Sequence, residues 1–462
     1  MFTINKKTQV VPTEPCSVPV SPTDPQPVVG QVEQFLKDAI SQMEPEAVDP
    51  CRGGLGRPRV LPALALWAGM LVCVLRGFTS QIDIWRLLTA RQLWFYPRFQ
   101  LSDQAVYDRL ENAGTAPLEQ LFQQITDLLQ HRLRPYAQAA QYELAPFATA
   151  VVALDETTLD PVARMLPALR PVPKGDARLL PGKLAGLFDI RYQQWRRIQH
   201  IPDPRQNEKV AARDMLEGLP EGSLVLADLG YFGFAWFDDL TECGYHWVSR
   251  LRAKTSYTTL HVFYQQDGVF DGIVWLGAYR SDRAGRAVRL VRFPVGNTIY
   301  SYVTDVLDPA VLPIRDIARL YARRWDFELA VKLVKRHLGL HLLWSSKQVV
   351  IVQQVLAVLI ISQILQALRL EIAGRAGVDP FDVSIALLVK YLPQYAYTGQ
   401  DPVALFVSMG RQLRFIRPST RTVIQAPEIP LEQVTPMPVD LPLLRQPRYA
   451  KRKCTSRTTP GD

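Results

Sequence analysis

The sequence predicts an α/β protein: a mixed central sheet, helices before and after it, and a set of short strands inserted into its second half. Three observations carry this. Two continuous apolar runs read as buried strands and each ends in an aspartate, ATAVVALD at Asp155 and SLVLAD at Asp228. The flanking stretches place apolar residues three and four apart, the period of a helix with one buried face. From about Thr255 to Tyr302 the pattern alternates and is broken by DG, AG and GN, as in consecutive hairpins.

Taken in order, residues 1–30 are rich in Pro, Thr, Val and Ser without apolar period and read as a tail. Residues 31–144 read as helical: QVEQFLKDAISQM, LPALALWAGMLVCVL, SQIDIWRLLTARQLW, SDQAVYDRLENAG and PLEQLFQQITDLLQHRL. Ser102 before Asp103 is an N-cap signal. After the strand ending at Asp155, LAGLFDIR (184–191) and QWRRIQHI (194–201) form a hairpin pattern. A helix over 207–217, the strand ending at Asp228, the helix FAWFDDLTECG and the strand YHWVSRL (245–251) follow. Three strands, helix, strand, helix, strand is the element order of an RNase H-like sheet. TLHVFY, GIVWLGAY, AVRLVRF and TIYSYV make an all-β insertion over 255–303. A helix from Ile314 to Leu338 and an apolar helix over 348–372 return to the core. The expected organisation is a catalytic core of 145–254 and 304–375, with 376–462 as a helical region ending in a proline-rich basic tail that includes Arg445, Arg448 and Lys451.

Composition fits two to four globular domains: 462 residues, 48% hydrophobic and 21% charged. The net charge, 53 − 44 = +9, favours a polyanionic partner. Five scattered cysteines without a CxxC argue against a zinc site or a disulfide framework and suit a reducing compartment. The N-terminus lacks the apolar stretch of a secretory signal. The apolar runs 61–75 and 349–362 fall short of the ~20 residues that cross a bilayer, so buried helices and no membrane are expected.

Phosphoryl transfer with two metal ions needs carboxylates held rigidly around the cations, and strand ends supply such positions. An aspartate at a strand end is equally the sign of a turn or cap. More specific is Tyr321-x2-Arg324-x3-Glu328-x6-Lys335, which on a helix brings a hydroxyl, a guanidinium, a carboxylate and an ammonium to one face. The plainer alternative is a solvated helix carrying a Glu328–Lys332 pair. His337 and His341 read as helix-end residues rather than zinc ligands, and Glu156 should point away from Asp155. Residues 80–114 read either as a helix-turn-helix or as a structural bundle; the acidic surroundings of Arg109 favour the bundle.

The Y-x2-R-x3-E-x6-K spacing resembles the signature of the IS-four-type insertion-sequence transposases at all four positions. ALDETTLD around Asp155 and LVLADLGYFG around Asp228 resemble the two aspartate strands of that family, and YHWVSRLR resembles the strand whose arginine, here Arg250, contacts DNA. The resemblance spans about 145–375. It implies a DDE enzyme in which Asp155, Asp228 and Glu328 are catalytic and hold two Mg²⁺ ions (Mn²⁺ as a substitute), while Tyr321, Arg324, Lys335 and Arg250 bind DNA. It further implies cleavage at element ends, joining of the 3′-hydroxyl to target DNA, double-stranded DNA as partner, a homodimer on DNA, and a location on the bacterial nucleoid in the cytoplasm. Tyr300, Tyr302 and Trp275 are candidates for an aromatic that stacks a flipped base, or are simply core aromatics. A nuclease without strand transfer and a silent DNA-binding derivative are the competing functions.

Overall fold

The structure, a computed structural model, describes residues 28–43, 60–90, 92–141, 144–159, 182–203, 205–278, 283–340, 342–398, 401–421 and 424–448. Among the described residues five helices come first: α1 (Val32–Ser41), α2 (Ala63–Leu75), α3 (Gln81–Ala90), α4 (Asp103–Asn112) and α5 (Ala116–Gln141). Strands β1 (Val151–Thr158), β2 (Lys183–Asp189) and β3 (Gln194–Ile201) lead to α6 (Glu208–Leu216), β4 (Leu224–Ala227), α7 (Phe234–Glu242) and β5 (His246–Arg250). Then come β6 (Tyr257–Gln266), β7 (Val269–Leu276), β8 (Val288–Val295) and β9 (Thr298–Thr304). Helices α8 (Ile314–Arg323), α9 (Trp325–Lys332), α10 (Gln348–Ala376), α11 (Ile385–Thr398) and α12 (Pro402–Met409) complete the set.

All nine strands form one sheet, ordered β3-β2-β1-β4-β5-β9-β8-β7-β6. β1, β4 and β5 are parallel, and β2 and β3 continue outward from β1 as an antiparallel hairpin. The four strands after residue 257 do not form a separate layer. β9 pairs antiparallel with β5, so they extend the central sheet from what would otherwise be an open edge. A buried Arg289–Asp271 pair, with nitrogen–oxygen distances of 2.6 and 2.7 Å, fixes β8 to β7, and Arg289 also donates to the Leu312 carbonyl at 2.6 Å. That bond ties the extension to the start of α8.

One face of the sheet is covered by α6 and α7, the other by α8, α9 and α10. Helix α10 is apolar around its whole circumference and must be wrapped. The N-terminal helices supply that wrapping: α5 and α2 lie along α10, and one apolar core runs from Val28 to Ile416. Three glutamines of α10 donate to neighbouring elements within this core. Gln353 donates to the Leu110 and Gly114 carbonyls, Gln354 to Leu342, and Gln363 to Thr126 and Trp195. With 29 residues the helix exceeds the apolar run read from sequence, and by length and composition alone it could cross a membrane; 83% of its most apolar window is buried inside the protein.

Two further expectations change in detail. Ser102 does cap α4, accepting from the Ala105 amide at 3.3 Å. Residues 91–102, however, separate α3 from α4, far more than the three or four of a helix-turn-helix. The proline-rich C-terminal segment is not wholly a free tail: Val434, Leu441 and Leu443 pack on Phe263, Ile273 and Trp275 of the sheet extension. Arg445 donates to the Ala284 and Leu276 carbonyls and lies over the Trp275 ring at 4.6 Å. Lys451 lies outside the described residues.

Candidate active site

The geometry starts from strand register. β1 and β4 are adjacent and parallel, and their ladder ends at Leu154 opposite Ala227, so Asp155 and Asp228 sit side by side just past it. β1 itself, read from sequence as ending at Asp155, runs on to Thr158 because it keeps pairing with β2. Alternation along β1 sends Glu156 to the opposite face, where it forms a buried ion pair with Lys183. Asp228 then caps a short 3-10 turn, Leu229–Tyr231. A Cβ at Gly230 within that turn would meet the Glu208 carboxylate at 2.2 Å, a contact the flexible Glu208 side chain can relieve by shifting.

The third acid arrives on a helix, and a glycine lets that helix come close. Gly186 lies opposite Asp155 in the β1–β2 ladder, and a side chain there would meet Phe327 and Trp195 at 2.8 Å. The Phe327 ring therefore rests directly on the sheet, edge-on to Trp195. The neighbouring turn of α9 is thereby held against the ends of β1 and β4. Arg324, at the junction of α8 and α9, places its guanidinium among all three acids. Nη1 is 2.9 Å from Asp155 Oδ2, Nη2 is 3.0 Å from Glu328 Oε1, and Nε is 3.9 Å from Asp228 Oδ1. Asp155 Oδ1 accepts from the Glu156 amide at 2.8 Å. The Arg324 side chain is 8% exposed, whereas Glu328 is 38% and Asp228 47% exposed. The cluster is closed beneath and open on the acidic side.

The remaining sequence candidates fall at graded distances. Tyr321 is buried one turn before Arg324, its ring 5.2 Å from Tyr302. Arg250 is exposed at the end of β5, paired in register with Tyr302. Lys335 does not reach the acids. The helix widens into a π turn at Leu333–His337, and Lys335 Nζ donates to Thr157 Oγ1 at 2.7 Å and to the Thr158 carbonyl. The expected straight helix from Ile314 to Leu338 is thus three pieces, and the wider turn carries Lys335 to the end of β1. His341 lies outside the described residues. Among the stacking candidates Tyr302 is 1% and Trp275 8% exposed, and Trp275 is covered by Arg445; Tyr300 is half-buried. Trp325, beside Arg324 at 5.4 Å and 55% exposed, is the open aromatic at the site.

Burial pushes Asp155 up to about 6; the Glu156 amide and Arg324 oppose the shift, and the Asp228 and Glu328 charges add to it. Burial also works against the charge of Arg324, but Asp228, Tyr321, Asp155 and Glu328 outweigh it and raise its pKa. Burial raises Tyr321 to about 12, so its hydroxyl stays protonated and available as a donor. Three carboxylates against one guanidinium leave 1 − 3 = −2 in a cleft that solvent can enter. Oxygen donors of this kind suit hard divalent cations such as Mg²⁺ or Mn²⁺. Among the described residues no three acids, histidines or cysteines stand close enough together to chelate an ion as they are. The three carboxylates ring Arg324 instead.

Glu156–Lys183, Gly186 and the Thr157–Thr158 anchor for Lys335 were not singled out from sequence. Gly186 alone had a legible signal, a lone glycine in an apolar strand, which marks close approach of another element.

Residues 183–364 match the family model described as transposase DDE domain. The match includes Asp228, Arg324, Glu328 and Lys335 and begins after Asp155. No curated protein sequence matches the chain. Among solved structures there is similarity to the piggyBac transposase in a synaptic complex with hairpin DNA, at 10% identity and a TM-score of 0.38, covering 84% of this chain and 82% of that one. That likeness is too distant to assign a role to any residue. The family match stands on its own: residues 183–364 are similar to a transposase DDE domain, and this supports DNA transposase as the enzyme class.

Proposed function

We propose that the chain is the transposase of a bacterial insertion sequence of the IS-four type, acting at the cleft formed by Asp155, Asp228 and Glu328. It cuts DNA at the ends of its element and joins the freed 3′-hydroxyl to target DNA, working as a dimer on paired ends. The observation that carries this is the convergence of three acids from three separate elements, two neighbouring strands and one helix, on a single half-open point. These side chains would hold two Mg²⁺ ions, which when bound polarise the scissile phosphate and activate the attacking oxygen.

The protein's own groups complete the reading. The sheet carries Asp155 and Asp228, and Phe327 packing against Gly186 holds the helix of Glu328 beside them, so the three carboxylates start from neighbouring positions around Arg324. Arg250, at the cleft edge, is placed to hold backbone phosphate. Lys335 and Tyr321 support the walls of the cleft, Lys335 through the end of β1 and Tyr321 through Tyr302. Trp325 offers an exposed ring beside the acids.

Labelled DNA bearing the sequences that flank the gene, incubated with the protein and Mg²⁺, tests this. Site-specific nicks at the flanks, followed by joined products with target DNA, are expected. Nicks without joining would favour the nuclease reading, and neither product would contradict both.

A further inference from the structure

The cation at the centre of the acid cluster is part of the chain. Every ion pair the structure shows for Asp155, Asp228 and Glu328 goes to Arg324. Lys335, further along this stretch of helix, is held by Thr157 and the Thr158 carbonyl. The guanidinium takes the inner oxygen lone pairs: one oxygen of Asp155 through Nη1, one of Glu328 through Nη2, with Nε facing Asp228. The other Asp155 oxygen is already bonded to the Glu156 amide. A divalent cation drawing two or more of these carboxylates together must enter the space between them that the guanidinium now fills.

We propose that Arg324 is a built-in counter-cation of the acid cluster, holding the three carboxylates together and giving way when a divalent ion binds them. This rests on the reading of the three acids as metal ligands and adds the competition to it. Charge favours the exchange. With Arg324 in place the cluster carries −2, which one divalent ion brings to zero. A second divalent ion would give +2 with the guanidinium still inside, and like-charge repulsion then drives Arg324 outward. The outward path leads past the exposed Trp325 ring, already 5.4 Å from the guanidinium carbon. There it can meet an incoming phosphate, which a guanidinium binds with two parallel hydrogen bonds. Arg324 thus couples metal loading to DNA grip: the side chain becomes free for phosphate only after the acids have another cation.

Competition of this kind is reciprocal, so removing the competitor must tighten metal binding. The test titrates Mn²⁺ into full-length wild type, Arg324→Gln and Glu328→Gln, following free Mn²⁺ by its paramagnetic resonance signal, with melting temperature in EDTA measured in parallel. Arg324→Gln should bind Mn²⁺ about tenfold tighter or more, melt lower than wild type in EDTA, and gain more from added Mn²⁺. Glu328→Gln should bind Mn²⁺ more weakly. If Arg324→Gln fails to fold, Arg324→Lys, which keeps one charge but not the fork of donors, should show the same directions at smaller size. Unchanged or weaker Mn²⁺ binding in a folded Arg324 variant, with Glu328→Gln still impaired, would overturn the competition and leave the metal-site reading standing. Mn²⁺ binding insensitive to Glu328→Gln would overturn the metal-site reading itself.

Discussion

Two arginine–carboxylate clusters sit within three residues of each other on the same stretch of helix, and they are built in opposite ways. Around Arg324 one cation is shared by three acids, two of which reach solvent. Around Asp326 one fully buried acid is held by several donors: Arg323 at 2.7 Å, Arg421 at 2.9 Å and Gln193 at 2.9 Å. Arg323, Arg369 and Arg421 also lie over the Phe381 ring at 5.4, 4.3 and 4.4 Å, gathering the second cluster around one aromatic. Arg421 comes from beyond α12, so the C-terminal part of the chain clamps the back of the helix whose front carries Glu328. The contrast teaches how to tell a working cluster from a structural one. An excess of acid with an open side suits binding a cation and a phosphate; a fully buried acid outnumbered by cations serves to hold elements together.

The largest effect should come from the open cluster and appear in rate. Asp228→Ala or Glu328→Ala should reduce DNA cleavage by about a thousandfold or more, the scale of losing one preorganised electrostatic group, while binding of DNA ends persists. Gel-shift and cleavage assays on the same preparations check this, and equal loss of both would point to misfolding instead. The closed cluster should respond in stability. Asp326→Ala strands Arg323 and Arg421 without a counter-charge, and a loss of about 3 kcal/mol is expected in denaturant melts. A melt unchanged from wild type would remove the distinction between the clusters.

Gly186→Ala probes the contact that joins the two regions. Its methyl group would collide with Phe327 and Trp195, costing about 1–3 kcal/mol and lowering cleavage as Glu328 moves off the strand ends. Wild-type stability and rate together would show that close helix–sheet contact is not what places Glu328. The smallest effect belongs to His246 on β5, whose pKa is raised chiefly by its hydrogen bond to Asp305 at 2.8 Å, against an opposing desolvation. A raised histidine contributes stability below its unfolded pKa and loses it as pH rises through the folded value. The pair is partly exposed, so His246→Gln should cost less than about 1 kcal/mol, and only at the acid end. Melts at pH 5.5 and 8.5 should differ in that sense; a larger loss at pH 8.5 would reverse the assignment.

Much of the fold was legible in residues 145–375 because buried parallel strands write continuous apolar runs and each one here ends at a polar boundary. Asp228 could be placed at a strand end that way, whereas β1 runs three residues past Asp155 along β2, and the adjacency of the two acids follows once β1 and β4 pair. The pattern could not show that β9 returns to β5, since pairing between distant strands leaves no local period. Nor could it show the π turn, which moves Lys335 away from the line of Tyr321, Arg324 and Glu328. Arg324 illustrates the limit most sharply. Spacing alone put it on the face of Glu328 as a cation for DNA phosphate; its burial and its contact with Asp155, 169 residues away, exist only in three dimensions. With its side chain this buried, substitution should be felt by the fold as well as by the reaction.

The most direct measurement pairs the melting curve of Asp155→Asn with its DNA-cleavage rate. Asp155 is raised from 3.8 to about 6 in the folded protein. A raised carboxylate favours the fold while protonated, and that contribution is lost as pH rises through about 6. At pH 8 the neutral asparagine should therefore be as stable as wild type or more so, by on the order of 1–3 kcal/mol, with the difference shrinking towards pH 4. Its Mg²⁺-dependent cleavage should nevertheless be lost. Cleavage at the wild-type rate by this folded variant would contradict the assignment of Asp155, Asp228 and Glu328 as the catalytic acids.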